Sequence, residues 1–507
     1  MLKQALENGE FVVTCEFVPG RGKDGPAVEA AVGFAREMAG ASPRIHAVSL
    51  TDNPGGNPAL LPDALAPECM AAGLDALVHF SCRDLNRNAM EARAMALARS
   101  GVRDLLVLTG DYTESGYKGK APAVFDLDSV QAIRYLKEMS EGLEVPGRKK
   151  GTTERLSPTD FHLGAAVSPF KLTEAELMAQ FFKMEKKIAA GADFIITQLG
   201  YDMRKFYEVK RYLTSRGLTT PLIGNVYVLS YGAARTMNAG GVPGCVVTDE
   251  LLKVLEKEKD DPDKGKGRRM ERAAKMVAMF RGMGFHGVHI GGFGLKPADF
   301  QAILIRAEEL QDQWESFIPE VNFAQENEFY AFPEPDSYAE GVPDPDPMPA
   351  LNQGSKSAVY EFMLLMHWLL FREGSLSFRT MRSLYKAIGD KGVIARTSHF
   401  CEYVAKLHLF ACRDCGDCAL PDTAYYCPMS RCAKSQRNGP CGGSVRGMCE
   451  VYPDEKRCAW SVIYDRLKSH SDLDQMRSAY VPPRKGELAY TSGWANYYLG
   501  RDHTARE

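Results

Sequence analysis

Residues 174–198 read EAELMAQFFKMEKKIAAGADFIITQ. Through Ile188 the apolar residues recur at spacings of three and four, the period of a helix with one buried face. Gly191 supplies a stop. FIITQ, from Phe194, is short, β-branched and unbroken by charge, as a strand covered on both faces is. A helix feeding a buried strand is the second half of a βαβ unit, and the alternation continues in both directions along the chain.

Upstream lie candidate strands FVVTCEFV from Phe11, IHAVSLTD from Ile45, ALVHFSC from Ala76, DLLVLTGD from Asp104 and FHLGAAVSP from Phe161. Downstream are PLIGNVYV from Pro221 and GVHIGGF from Gly287, with helical segments such as GPAVEAAVGFAREMAG and NAMEARAMALARSG between strands. Eight strand–helix units fit one (β/α)8 barrel. The alternative, a doubly wound open sheet, lacks any strand followed by a G-x-G-x-x-G turn. The expected architecture is therefore α/β: a TIM barrel over residues 1–315, a proline- and acid-rich linker over 316–357, and a smaller helical, cysteine-rich, metal-binding domain over 358–507. Two long connections, Tyr112 to Asp160 and Leu229 to His286, fall on the carboxyl-end face, where long loops tend to be functional.

Composition excludes several function classes. The 507 residues carry a formal net charge of −3, which gives no reason to expect nucleic-acid or membrane-surface binding. KGKGRR from Lys264 follows EKEKDDPD and reads as a solvated loop. The stretch FMLLMHWLLF from Phe362 is too short to span a bilayer and reads as a buried helix. MLKQALENGE lacks the apolar core of a signal peptide. A cytoplasmic location is expected, where clustered cysteines bind metal or do redox chemistry more often than they form disulfides.

In a barrel the chemistry sits at the carboxyl ends of the strands. Polar candidates there are Glu16, Thr51, His79, Asp111, Ser168, Gln198, Asn225 or Tyr227, and the pair Gly291–Gly292. Glu16 and Asp111 stand out, because an ionised carboxylate in a barrel mouth is costly unless paired or functional. Metal binding is not expected of this set, which offers one histidine and two carboxylates.

Order and identity together make residues 1 to 310 resemble the methylenetetrahydrofolate reductase family of flavin-containing barrels. The resemblance rests on EFVP at Glu16, VSLTDN at Thr51, VHFSCRD at His79, LTGD at Asp111, KKIAAGADFIITQ with Lys187 and Gln198, and GVHIGG. It implies that Glu16 is the acid that helps open the folate's five-membered ring. Asp111 would lie near both flavin and folate, and Gln198 would contact the substrate. Thr51, His79 and Lys187 match flavin contacts, and Thr109, Gly110, Asp111 and Ser168 fall at further positions beside the flavin. Thr109 replaces an arginine and Ser168 an aromatic of the bacterial enzymes, and no arginine follows GGFGLK, so FAD and the shorter FMN both stay open. The implied reaction is reduction of 5,10-methylenetetrahydrofolate to 5-methyltetrahydrofolate in one-carbon and methionine metabolism. The opening step asks for a carboxylic acid of raised pKa.

Nine of the thirteen cysteines fall between Cys401 and Cys458. Cys412, Cys415 and Cys418 follow C-x2-C-x2-C, and Cys427 precedes a proline, a pattern of iron–sulfur ligation. Cys432, Cys441, Cys449 and Cys458 supply a second set of four, with Cys401 left over. One or two [4Fe–4S] clusters are expected, with structural zinc as the rival. CPMSRCAKSQRNGPCGGS also resembles the cysteine-rich module of some family members and their companion subunits, which implies electron delivery to the flavin. NAD(P)H, ferredoxin or a partner electron-transfer protein could be the donor, and a homo-oligomer or hetero-complex stays open. The competing readings are a non-catalytic electron-transfer or assembly subunit and a zinc-dependent folate methyltransferase.

Overall fold

The computed structural model describes residues 2–339, 354 and 356–505. The eight expected strands all form: β1 Val12–Phe17, β2 Ala47–Leu50, β3 Asp75–Ser81, β4 Asp104–Leu108, β5 His162–Val167, β6 Phe194–Thr197, β7 Leu222–Tyr227 and β8 Gly287–Gly291. All pair in parallel and close on themselves in the order 1-8-7-6-5-4-3-2. The fold is a TIM barrel.

Strand alternation sets the polarity of the barrel's interior. Side chains point inward at every second residue, so β1 presents Val12, then Thr14, then Glu16 as it rises. At the amino end Val12, Ala47, Leu77, Leu106 and Ile223 form an apolar plug with Leu2, Ala5 and Leu6 of the short helix Leu2–Glu7. At the carboxyl end the inward positions turn polar. The sequence thus builds a dry floor and a wet mouth on the same strands.

Three barrel helices matter for the site: α1 Ser129–Glu141, α2 Glu174–Ala189 and α3 Met203–Ser215. Asp128 caps α1, accepting from the backbone N–H groups of Val130 and Gln131. The first part of the expected linker is packed against α3. Tyr330 donates to Asp202 at 2.7 Å, and the backbone of Phe332 donates to Glu208 at 2.8 Å. Residues 340–353 of that linker lie outside the described residues.

Beyond the linker come α4 Ala358–Met366, which runs into a π-helical turn at His367–Phe371, then α5 Leu376–Ile388, α6 Val393–Phe410 and α7 Ala459–Lys468. Two expectations need correction. Helix Lys266–Gly282 takes up most of the basic run read as a loop. The stretch from Phe362 is helical but not buried, with Phe362, Leu365, Trp368 and Leu369 all exposed. Among the described residues no helix is long and apolar enough to cross a membrane.

Candidate active site

A cavity of about 330 Å³ opens at the carboxyl end of the barrel. Glu16, Thr51, His79, Thr109, Gly110, Asp111, Ser168, Lys187, Gln198 and Asn225 line it, whereas Tyr227, Gly291 and Gly292 of the strand-end candidates do not. Gly110 has φ +86°, and a Cβ there would meet Ser81 Oγ at 2.2 Å, so only glycine lets the chain turn beneath the mouth.

The expected convergence of one histidine and two carboxylates is not what forms. Glu16, His79 and His289 present ligand atoms within 4.8 Å of one another, whereas Asp111 stands apart, its Oδ2 accepting from the backbone N–H of Gly55 at 3.0 Å. His289 was missed, although it lies in GVHIGG on the same inward alternation. Its Nε2 is 3.3 Å from Glu16 Oε2, and its Nδ1 is 2.8 Å from the Thr14 hydroxyl. His79 Nε2 meets Ser49 Oγ at 2.9 Å.

This grouping reverses a second expectation. Burial pushes the Glu16 carboxyl up, but the His289 hydrogen bond and the charges of His289 and His79 together outweigh it, and Glu16 titrates below its ordinary value. Burial lowers His79 to about 4, so its ring is neutral at neutral pH. Burial, and then the charge of Lys183, lowers Lys187 to about 7. Lys187 donates to the carbonyl of Ala166, at 2.5 Å.

Among the described residues, three polar atoms on the wall have no hydrogen-bond partner: Thr51 Oγ1, Ser168 Oγ and Gln180 Nε2. Buried polar atoms are rarely left unpaired. Together they form a cradle suited to a ligand rich in acceptors and N–H groups.

The cysteine region supplies the cavity's remaining wall, which sequence alone did not indicate. Lys434, Cys441, Gly442 and Glu450 face the same space as Glu16. Lys434 pairs with Glu450 and donates to the carbonyl of Gly110 at 2.8 Å. Gln436 Oε1 accepts from the Thr109 hydroxyl at 3.1 Å and from Lys183 at 2.9 Å. Asp128 accepts from the backbone N–H groups of Arg437 and Asn438 and from the Asn438 side chain. At Gly439 a Cβ would meet Lys183 at 2.8 Å, so glycine permits the close seating of this segment on α2. Residues 434–450 therefore form a cap bonded to the barrel mouth.

Cys412, Cys418 and Cys427 lie close enough to Cys415, and Cys441, Cys449 and Cys458 to Cys432, for their charges to be felt. Burial, then the charges of Cys418 and Cys427, pushes Cys415 up to about 12, with Cys412 adding to the effect. Burial, then Cys458, pushes Cys432 up to about 11, with Cys449 contributing. Thiols crowded in this way ionise together only around a cation. Backbone N–H groups point at the sulfurs: Asp414 at Cys412, Leu420 at Cys418, Lys434 and Gln436 at Cys432, and Trp460 and Ser461 at Cys458. Cys401 is exposed and does not join either set.

A parallel barrel with a polar mouth, closed by a cysteine-rich cap, defines a class of two-part barrel proteins. Residues 1–301 match the family model described as methylenetetrahydrofolate reductase, and residues 393–486 match one described as its C-terminal region. The chain belongs to the methylenetetrahydrofolate reductase family. Curated relatives include methylenetetrahydrofolate reductase 2 of Schizosaccharomyces pombe, 23% identical over 211 residues, 40% of this chain and 31% of that protein. The 5,10-methylenetetrahydrofolate reductase of Pectobacterium carotovorum is 24% identical over 159 residues, 31% of this chain and 45% of that one. Methylenetetrahydrofolate reductase (NADH) 1 of Arabidopsis thaliana is 22% identical over 296 residues, 57% of this chain and 47% of that one. The chain spans less than half the length of these relatives.

Proposed function

We propose that the chain reduces 5,10-methylenetetrahydrofolate to 5-methyltetrahydrofolate, with a flavin in the barrel mouth and the cysteine region as its source of electrons. The observation that carries this reading is that Cys441 and Glu16 line one cavity. A thiolate-ligated redox centre and an acid–base group then share a site.

The wall suits a flavin ring, whose polar edge would satisfy Thr51 Oγ1, Ser168 Oγ and Gln180 Nε2, the cavity-wall atoms left without partners among the described residues. FAD and FMN both remain within the proposal. The engagement of Thr109 and Lys183 by Gln436 favours the shorter FMN, because the cap takes up that flank of the mouth. Bound there, the flavin supplies the hydride that reduces the folate's one-carbon unit.

The chain's own residues handle protons and charge. Opening the five-membered ring needs a proton on one ring nitrogen. Glu16 is held below its ordinary value, and the proton reaches the ring nitrogen through the Glu16–His289 pair, whose Oε2 and Nε2 lie 3.3 Å apart. The Thr14 hydroxyl holds the imidazole in line for that transfer. Asp111 stabilises the positive charge that develops on the opened ring, and Gln198 orients the substrate across the cavity.

The pattern of the first set favours iron–sulfur clusters over zinc, because C-x2-C-x2-C followed by a Cys-Pro step is a pattern of iron–sulfur ligation. Cys412, Cys415, Cys418 and Cys427 would hold one [4Fe–4S] cubane and Cys432, Cys441, Cys449 and Cys458 the other. The test is single-turnover folate reduction by anaerobically purified, dithionite-reduced protein. Methyl product at one equivalent per flavin supports the proposal, and a flavin-free chain without turnover favours the non-catalytic subunit.

A further inference from the structure

We infer that the outer face of α4, α5 and α6 docks a small acidic protein that carries single electrons to the first cysteine set. The inference rests on the cysteine region being the electron inlet, and it goes further by naming where the donor binds and by what chemistry.

The face is apolar where a soluble surface seldom is. Trp368 is 59% exposed, Val393 80% and Phe400 65%, and Phe362, Leu365, Leu376 and Ile394 join them. An apolar cavity of about 270 Å³ sinks between these helices and the carboxyl-terminal aromatics, walled by Met363, Met366, Phe371, Trp494 and Tyr497. Cys418 lies on its wall, so the pocket leads from the surface to a ligand of the first set.

Charge decides what fits there. Arg372, Arg379, Arg382, Lys386, Lys391, Arg396 and Arg413 are all exposed, and among the described residues none of them has an ion-pair partner. Of the exposed acids on these elements, Glu361 pairs with His470 and Asp390 with Arg501, which leaves Glu373. Exposed cations without ion-pair partners, carried on the same helices and their flanking turns as the exposed apolar side chains, on a chain whose net charge is −3, complement an acidic partner with an apolar contact patch. A second copy of this chain would oppose the same cations and be repelled. The position over Cys418 favours a redox protein over an anionic membrane, which would need no cysteine beneath it.

Each encounter moves one electron: the carrier is oxidised by one and the first cluster reduced by one. Two encounters supply the two electrons that, with a proton taken up from solvent, make up one hydride.

The test uses the full-length, iron-loaded protein and a reduced plant-type [2Fe–2S] ferredoxin as the acidic probe. Stopped-flow bleaching of the cluster absorbance should slow by about tenfold or more as salt is raised, because the attraction is screened. The R379E/R382E/R396E triple variant should show a similar loss in low salt, with iron content and reduction by dithionite unchanged. Equal rates for variant and parent, or rates indifferent to salt, overturn the proposal. So does loss of binding to phosphatidylglycerol vesicles with the ferredoxin rate intact, which assigns the face to a membrane. A chain purified without iron overturns the electron-inlet reading itself and the docking with it.

Discussion

Glu16, His289 and His79 show how much a barrel mouth can do with one strand period. Val12, Thr14 and Glu16 share the inward face of β1, and His289 pairs in register with Thr14 across the β1–β8 seam. Replacing Glu16 by Gln should leave flavin bound and reducible while slowing folate reduction by about 10²–10⁴-fold, the worth of a positioned acid. Replacing His289 by Asn removes the hydrogen bond that holds the carboxylate down, so Glu16 titrates higher. Folate reduction should then fall at neutral pH and recover as pH is lowered, which a pH–rate profile would display and a purely structural loss would not. His79 adds a stability term. Its folded-state value of about 4 lies below the ordinary value near 6.5, so the unfolded chain takes up the proton first. Stability should fall as pH drops through that window, by about 3 kcal/mol in full. Urea titrations between pH 7 and pH 4 would measure it, and His79→Gln should flatten the dependence. The strand-end residues were legible because alternation and strand position place them. His289 was equally visible but read as strand filling. Lys434, Gln436 and Glu450 were not legible, since no periodicity reports that residues some 300 positions downstream return to the same cavity.

At the scale of elements, α1 and α2 act as the seat for the cap. Asp128 does two jobs there: it caps α1 and accepts three hydrogen bonds from Arg437 and Asn438. Asp128→Ala should cost about 2–4 kcal/mol, from the lost cap and from buried donors left unpaired. Amide hydrogen exchange in residues 434–441 should rise in that variant while β1 to β8 stay protected. The strands and barrel helices were readable because burial on both faces leaves an unbroken apolar run and burial on one leaves a 3.6-residue period. The stretch from Phe362 misled for the same reason. Its ten residues are apolar enough for a core helix, but the surface it sits on is itself apolar, and hydropathy does not separate a core from an uncovered interface.

For the whole molecule, the two halves are joined through the active site rather than beside it. The cap closes the mouth with Lys434, Gln436 and Glu450, and it places Cys441 of the second set on the cavity wall, with Cys418 of the first set facing the outer pocket. This arrangement orders the sets as outer and inner along a route from the basic apolar face to the barrel. Removing an outer ligand should therefore interrupt supply without disturbing the mouth. In Cys415→Ala we expect about half the iron to be lost, the barrel's circular dichroism to be kept, and folate reduction to persist with chemically reduced flavin but not with a protein donor. The fold class could be read from the alternation of strands and helices, and the cysteine-rich region from its composition. The joint between them could not, because it is made by side-chain hydrogen bonds between segments that neither pattern connects.

If one cavity joins a flavin to a cysteine-ligated electron source, the anaerobically purified chain should carry both. One flavin and about eight iron and eight acid-labile sulfide per chain are expected, for two [4Fe–4S] clusters, with no zinc. Stoichiometric zinc with neither iron nor flavin would contradict it.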